Sequence, residues 1–176
     1  FKIMNLIVTC PRHLEPETEE ELKNILEKLG DSEPEIKITN MSGILTVQTI
    51  LDPIQIVRKI KEMILDEPWS IRYCSRIIPI QKVVETQISE IEKNASEISE
   101  QILEDEKYRI SIEKRNSNIS SKEIITKIAN QIKNKVSLEY PDKIILIEIL
   151  GNKTGISILK KSDVLSIEKT KRSLSE

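Results

Sequence analysis

The chain has 176 residues, of which 38% are hydrophobic, 32% charged and 3% aromatic, with a net charge of −2. That is enough for one domain or two small ones, with cores built from Ile, Leu and Val. No apolar run reaches the roughly 18 residues that a membrane span needs, and two cysteines, Cys10 and Cys74, make no disulfide framework, so a reducing, cytoplasmic setting is expected.

The amino end, Phe1 to Val8, lacks the basic start and small-residue cleavage site of a signal peptide. Lys2 to Thr9 is rich in β-branched residues and is closed by Pro11, which predicts a strand. Glu15 to Leu29 places Leu22, Ile25, Leu26 and Leu29 on one helical face. Acids crowd its positive N-terminal end, and Gly30 supplies the stop. Ile36 and Ile38 begin a second strand, and Ile44 to Thr49 makes a third. Asp52-Pro53 opens a helix with Ile56, Val57, Ile60 and Ile64 inward. Alternation from Trp69 to Ile78 predicts a fourth strand. The order β-α-β-β-α-β is the ferredoxin-like pattern.

Pro79 marks a boundary, giving an expected first domain over residues 1–80 and a second over 81–172. Val84, Ile88, Ile91, Ala95, Ile98 and Ile102 recur at spacings of four and three, which predicts an acidic helix. It could pack on its own domain or pair with another helix. Tyr108, Ile110 and Ile112 alternate with Arg109, Ser111 and Glu113 in a strand. Ser120-x-x-Glu123 is a capping box opening a helix with Ile125, Ile128 and Ile132 inward. Ile144 to Ile149 is apolar enough to be covered on both faces. Thr154–Leu159 and Val164–Lys169 read as two further strands. The fold class is α+β / α/β, a ferredoxin-like domain followed by a separate α/β domain.

The net charge conceals an asymmetry. Val83 to Glu106 holds 8 acids and 1 base, whereas Lys107 to Arg172 holds 15 bases and 7 acids. Solvated faces would give such runs, and so would a basic binding surface beside an acidic one. Within the basic half, Lys114 and Arg115 precede a helix start at Ser120 and Ser121, where dipole and N–H donors favour an anion. A capped helix beside a solvated loop is the alternative. Arg109 and Lys122 could extend the patch, and Lys160 and Lys161 could reach the same face. Arg72 and Arg76 would share a face of the fourth strand, either for phosphates or paired with helix acids. With few aromatics, backbone, 2′-hydroxyl and shape contacts would dominate any RNA recognition.

Catalytic and metal chemistry are not expected. Cys10, His13 and Cys74 make three metal ligands at most, and the four glycines have none of the spacing of a phosphate-binding loop. No cofactor is implied.

The segments YRISIEKRNSNISSKEIITKIANQI (Tyr108–Ile132) and VSLEYPDKIILIEILGNKTGISIL (Val136–Leu159) resemble a THUMP domain. The resemblance rests on Lys114-Arg115, the serine-led helix, the Pro141-Asp142-Lys143 turn and Gly155-Ile156-Ser157. NLIVTCPRHLEPETEEEL (Asn5–Leu22) and the stretch from Asp66 to Thr86 are similar to stand-alone archaeal and eukaryotic THUMP proteins with an N-terminal ferredoxin-like domain. The resemblance implies tRNA, rather than DNA or a membrane, as the partner, held by its 3′ CCA end and acceptor stem. It also implies a separate acetyltransferase making N4-acetylcytidine, to which the chain would present tRNA without catalysis of its own. Other THUMP modules target thiouridine synthetases, methyltransferases and pseudouridine synthases, so the targeting part of a larger enzyme is the alternative. A protein-interaction module working through the acidic helix is a third reading.

Overall fold

A computed structural model describes residues 4–175 of the chain. The first elements are β1 (Leu6–Thr9), α1 (Glu15–Leu29), β2 (Glu35–Ile38), β3 (Ile44–Gln48), α2 (Pro53–Asp66) and β4 (Arg76–Pro79). There follow β5 (Lys82–Glu85), α3 (Ile88–Ser99), β6 (Tyr108–Arg115), α4 (Ser121–Ala129), β7 (Lys143–Leu150) and β8 (Lys153–Leu159). The last are β9 (Leu165–Ser166) and α5 (Ile167–Arg172). The chain divides into two compact units: one from residues up to Pro79 together with those from Asp163 onward, the other Ile80–Ser162.

In the first unit the sheet order is β2-β3-β1-β4-β9, every neighbour antiparallel. β3 lies between β1 and β2, the split arrangement of a ferredoxin-like sheet. Leu22, Ile25 and Leu26 of α1 and Ile56, Val57, Ile60 and Ile64 of α2 are buried with Leu6, Val8, Leu45, Val47 and Ile77, as their spacing predicts. The Asp52 side chain caps α2 by accepting the N–H groups of Ile54 and Gln55. Gly30 ends α1 at φ 119°, a left-handed conformation that glycine adopts freely. The Asp31 carboxylate beyond it accepts the Thr49 hydroxyl at 2.6 Å, the Glu33 N–H at 3.0 Å and the Ile50 N–H at 3.2 Å.

Several boundaries differ from expectation. The predicted first strand reaches back to Lys2, but Lys2 and Ile3 lie outside the described residues. The fourth strand begins at Arg76, not Trp69. Pro68–Ser70 forms a 3₁₀ turn, and the N–H groups of Arg72, Tyr73 and Cys74 donate to the Glu21 carboxylate rather than to a ladder. The predicted strand Val164–Lys169 is two residues of β9 and then α5, started by Ser166, whose side chain accepts the Lys169 N–H. Residues 163–172, expected in the second domain, belong to the first unit. β9 extends its sheet beside β4, and Leu165 and Ile167 enter its core.

The second unit has the order β5-β8-β7-β6. β6 and β7 are parallel and joined through α4, while β8 runs antiparallel to both β7 and β5. Its core gathers Ile91, Ala95 and Ile98 of α3, Ile124 and Ile128 of α4, and Ile145, Ile147, Ile149, Ile156 and Ile158 of the sheet. Every residue of β7 from Ile144 to Leu150 is buried, as its unbroken apolar run predicts. Val84 packs against this core from β5 rather than from α3, which starts at Ile88. The inner face of α4 is Ile124 and Ile128, with Ile125 exposed rather than inward as predicted: the helix turns the i, i+4 pair Ile124 and Ile128 onto the core.

Candidate nucleic-acid interface

Lys114 and Arg115, adjacent in sequence, project to opposite faces of β6, since strand side chains alternate. Lys114 is exposed on the helix-bearing face, and its Nζ donates to the Ile119 carbonyl oxygen at 2.8 Å, bridging the loop before α4. Arg115 is half-buried on the other face. Its guanidinium lies 3.1 Å from Glu148, a carboxylate only 1% exposed in the middle of β7. The expected pair of free cations is therefore one exposed lysine that rests on a loop carbonyl and one arginine held by a buried carboxylate. A lone acid inside the apolar run Ile144–Ile149 was the sequence signal for this contact, because a carboxylate is buried only with a partner.

The connection from β6 to α4 is fixed along its length. Asn116 adopts φ 54°, and the Gly151 N–H donates to the Arg115 carbonyl at 2.8 Å. Ser117 Oγ accepts the Ile119 N–H at 3.3 Å, and Ser120 Oγ accepts the Glu123 N–H at 3.1 Å, which realises the predicted cap. The N–H groups of Ser121 and Lys122 have no protein acceptor among the described residues. Ser121 is half-buried and Lys122 exposed in the first turn. Lys114 and Lys122 thus flank a helix start with two free N–H donors, a combination that suits an anion.

The rest of the expected patch lies elsewhere. Arg109 pairs in register with Ile144, and Ile144 with Leu159, whereas Arg115 pairs with Leu150, and Leu150 with Lys153. Arg109, Lys160 and Lys161 therefore stand at the opposite end of the sheet from Lys114, about 17 Å away over the strand from Arg109 to Lys114. They do not reach the same surface, as had been expected. Arg109 is half-buried, and its Nη1 donates to the Leu138 carbonyl at 2.9 Å, while Lys160 and Lys161 are exposed. Gly155 is buried, and a Cβ there would meet Ile80 Cδ1 at 2.9 Å, so close strand packing constrains this position. Beside the same end, the Lys143 ammonium holds the Glu106 carboxyl below its usual range.

In the first unit, Arg72 precedes β4 and Arg76 opens it, so the two share no strand face. Arg72 is exposed with its guanidinium carbon 5.9 Å from the Tyr73 ring centroid, and Arg76 is half-buried opposite Thr9 and Ser166. Glu21 of α1 does engage this segment, but through its backbone. Cys10 and Cys74 are both buried, and burial pushes both thiols up, Cys74 well above its ordinary value, which leaves them poor nucleophiles. His13 is exposed, and among the described residues no group of three or more His, Cys, Asp or Glu side chains is placed to hold a metal ion. No helix among the described residues is long and apolar enough to cross a membrane.

Residues 85–159 match the family model of the THUMP domain. No curated protein matches the chain in sequence. Among solved structures the fold is similar to that of PH1313 from Pyrococcus horikoshii Ot3, with a TM-score of 0.64 and 21% identity over 90% of this chain and 55% of that one. It is also similar to TrmN from Thermus thermophilus, with a TM-score of 0.59 and 13% identity over 89% of this chain and 45% of that one. A 4-thiouridine synthetase in complex with RNA and ATP gives a TM-score of 0.59 and 14% identity over 93% of this chain and 42% of that one. The chain thus spans 55% or less of the length of each of these proteins. The second unit, which carries Lys114, the fixed loop and the α4 start, encloses the whole stretch 85–159 that matches the THUMP family model.

Proposed function

We propose that this chain is a non-catalytic tRNA-binding adaptor of the cytoplasm, one that holds the acceptor stem and 3′ CCA end of a tRNA. In this reading it presents the tRNA to a separate acetyltransferase that forms N4-acetylcytidine. The observation that carries the reading is the THUMP match over residues 85–159, within which the α4 start gathers Lys114, Lys122 and two free N–H donors. Phosphates would bind there, with Ser120 and Ser121 shaping the helix start, Arg115 holding the loop, and Arg109, Lys160 and Lys161 meeting the backbone further along. Arg72 and Arg76 would add contacts from the first unit. The segment carries neither a stacking cluster of aromatics nor a glycine loop for a nucleotide, so shape and backbone charge would dominate recognition.

A second reading is the tRNA-targeting part of a larger modifying enzyme such as a thiouridine synthetase or a methyltransferase. It is favoured by the chain's spanning only 42% to 55% of the three similar structures described above. Binding of an intact tRNA and of the same tRNA without its CCA end tests the common ground of both readings. The expected result is tight binding of the first and clear weakening with the second. Equal affinity for the two would remove the 3′ end from the site. Cytidine acetylation by the purified acetyltransferase, with and without this chain, then separates adaptor from enzyme part.

A further inference from the structure

The end of the second unit's sheet remote from the α4 start holds an aromatic ring in solvent. Tyr140 is 74% exposed, beside Leu138 at 74% and Val136 at 55%. The backbone beneath these side chains is fixed. The Tyr108 N–H donates to the Lys135 carbonyl at 3.0 Å, and the Ser137 N–H donates to the Tyr108 carbonyl at 2.9 Å. Arg109 Nη1 donates to the Leu138 carbonyl at 2.9 Å, and the Tyr140 N–H donates to Ser137 Oγ at 3.0 Å. A ring and two aliphatic side chains held out in water on a rigid support mark a contact surface.

The charges at this end select the occupant. Lys107, Lys133, Lys135, Lys160 and Lys161 are exposed there and Arg109 is half-buried. Two of the neighbouring acids are already engaged: the Glu106 carboxylate lies 2.7 Å from the Lys143 ammonium, and Asp142 accepts the Lys107 N–H at 2.8 Å. Glu104, Asp105 and Glu139 remain in solvent, so cations outnumber them. Lysine is depleted at protein interfaces, whereas a ring among cations is what a nucleic acid strand takes, base on ring and phosphates on ammonium groups. One ring stacks one base, and only a base outside a duplex offers it a face.

We propose that Tyr140 is the stacking platform for an unpaired nucleotide of the bound RNA, with Lys133 and Lys135 meeting the phosphates beside it. The inference rests on the RNA-binding reading above and divides the work between the two ends of the sheet. The α4 start takes a phosphate through Lys114 and its N–H donors, and the Tyr140 end takes a single strand. Along β6 the two ends lie about 17 Å apart, so one RNA fills both only when its unpaired nucleotide lies that far from the phosphate at α4.

The test uses the full chain and two synthetic RNA hairpins with the same stem, one blunt and one with a single-stranded 3′ overhang that carries a fluorescent adenine analogue. Tyr140→Ser should bind the overhang RNA about tenfold or more weakly, and the blunt RNA as wild type does. Tyr140→Phe, which keeps the ring, should bind both as wild type does, and quenching of the analogue should survive in it and vanish in the serine variant. The side chain is exposed, so the thermal unfolding curve should not move. If the serine variant does unfold, Lys133→Ala/Lys135→Ala carries the test. It should lower the slope of log affinity against log salt by about 1.4 for the overhang RNA, two single-strand contacts, and leave the blunt RNA unchanged. Equal weakening of both RNAs by Tyr140→Ser would overturn the unpaired nucleotide, and equal weakening by Phe and Ser would overturn stacking. Unchanged overhang binding in the serine and alanine variants would overturn the site, and a wild-type dimer dispersed by Tyr140→Ser would give the surface to a second copy. Wild type that bound neither RNA would overturn the RNA-binding reading, and this site with it.

Discussion

Arg115 lies 3.1 Å from a carboxylate that is 1% exposed, and that contact sets what its removal costs. Arg115→Ala leaves Glu148 without its guanidinium inside the sheet, so the variant should lose about 3 kcal/mol of unfolding free energy, as when one member of a buried pair is removed. Lys114→Ala should change stability by less than about 0.5 kcal/mol, because the side chain is exposed. It should reduce the slope of log affinity for tRNA against log salt by about 1, one phosphate contact. Denaturant unfolding and a salt titration measure the two effects, and a Lys114 variant with an unchanged slope would remove this lysine from the RNA site. Replacing both residues together would mostly report the loss of the buried pair.

Asp31 gives a pH prediction at the same scale. Burial pushes its carboxyl up, but the Thr49 hydroxyl and the Glu33 and Ile50 N–H groups outweigh that and hold it below its ordinary value. Its contribution to stability is therefore complete above the unfolded carboxylate pKa and is lost as pH falls through the lower folded value. Asp31→Asn should be less stable at neutral pH and should show a flatter decline on the acid side, measured as the urea midpoint against pH.

Among the elements, α4 and β8 show how local sequence and packing divide the work. The capping box placed the start of α4 correctly because an N-cap is a local hydrogen bond, here Ser120 Oγ to the Glu123 N–H at 3.1 Å. Ser120→Ala should cost about 1 kcal/mol and fray the turn that carries Lys122. In β8, Gly155 answers to a residue distant in sequence. A methyl group there would sit 2.9 Å from Ile80 Cδ1, so Gly155→Ala should destabilise by about 1–3 kcal/mol through overpacking, with tRNA affinity unchanged in the folded fraction. Thermal melts and binding at a temperature well below the transition check both. A Gly155 variant that is stable but loses tRNA would return this position to the RNA site.

At the scale of the molecule, the chain's last segment rejoins its first unit. β9 pairs with β4, Leu165 and Ile167 are buried with Leu6 and Ile77, and Lys171 Nζ donates to the Ile71 carbonyl at 2.6 Å. Truncation after Ser162 removes two core side chains and uncovers the β4 edge, so the first unit should lose about 4 kcal/mol or more and become prone to aggregate. Unfolding and light scattering of the truncated chain test this, and a truncated first unit as stable as wild type would show the return to be dispensable.

The order β-α-β-β-α-β, both helices of the first unit, the buried strand β7 and the cap of α4 were all legible in the sequence. Each depends on side-chain periodicity or on hydrogen bonds between residues a few positions apart. Contacts between distant residues were decided only by the fold. Glu21 takes the N–H groups of Arg72, Tyr73 and Cys74, where a strand was predicted, and β4 recruits the segment after Ser162 as β9. The basic residues of the predicted patch are all present, but register sets Arg109 and Arg115 at opposite ends of one strand and the pleat turns Lys114 from Arg115. Spacing along the chain is one-dimensional, and which charge meets solvent and which meets Glu148 depends on the neighbouring strand.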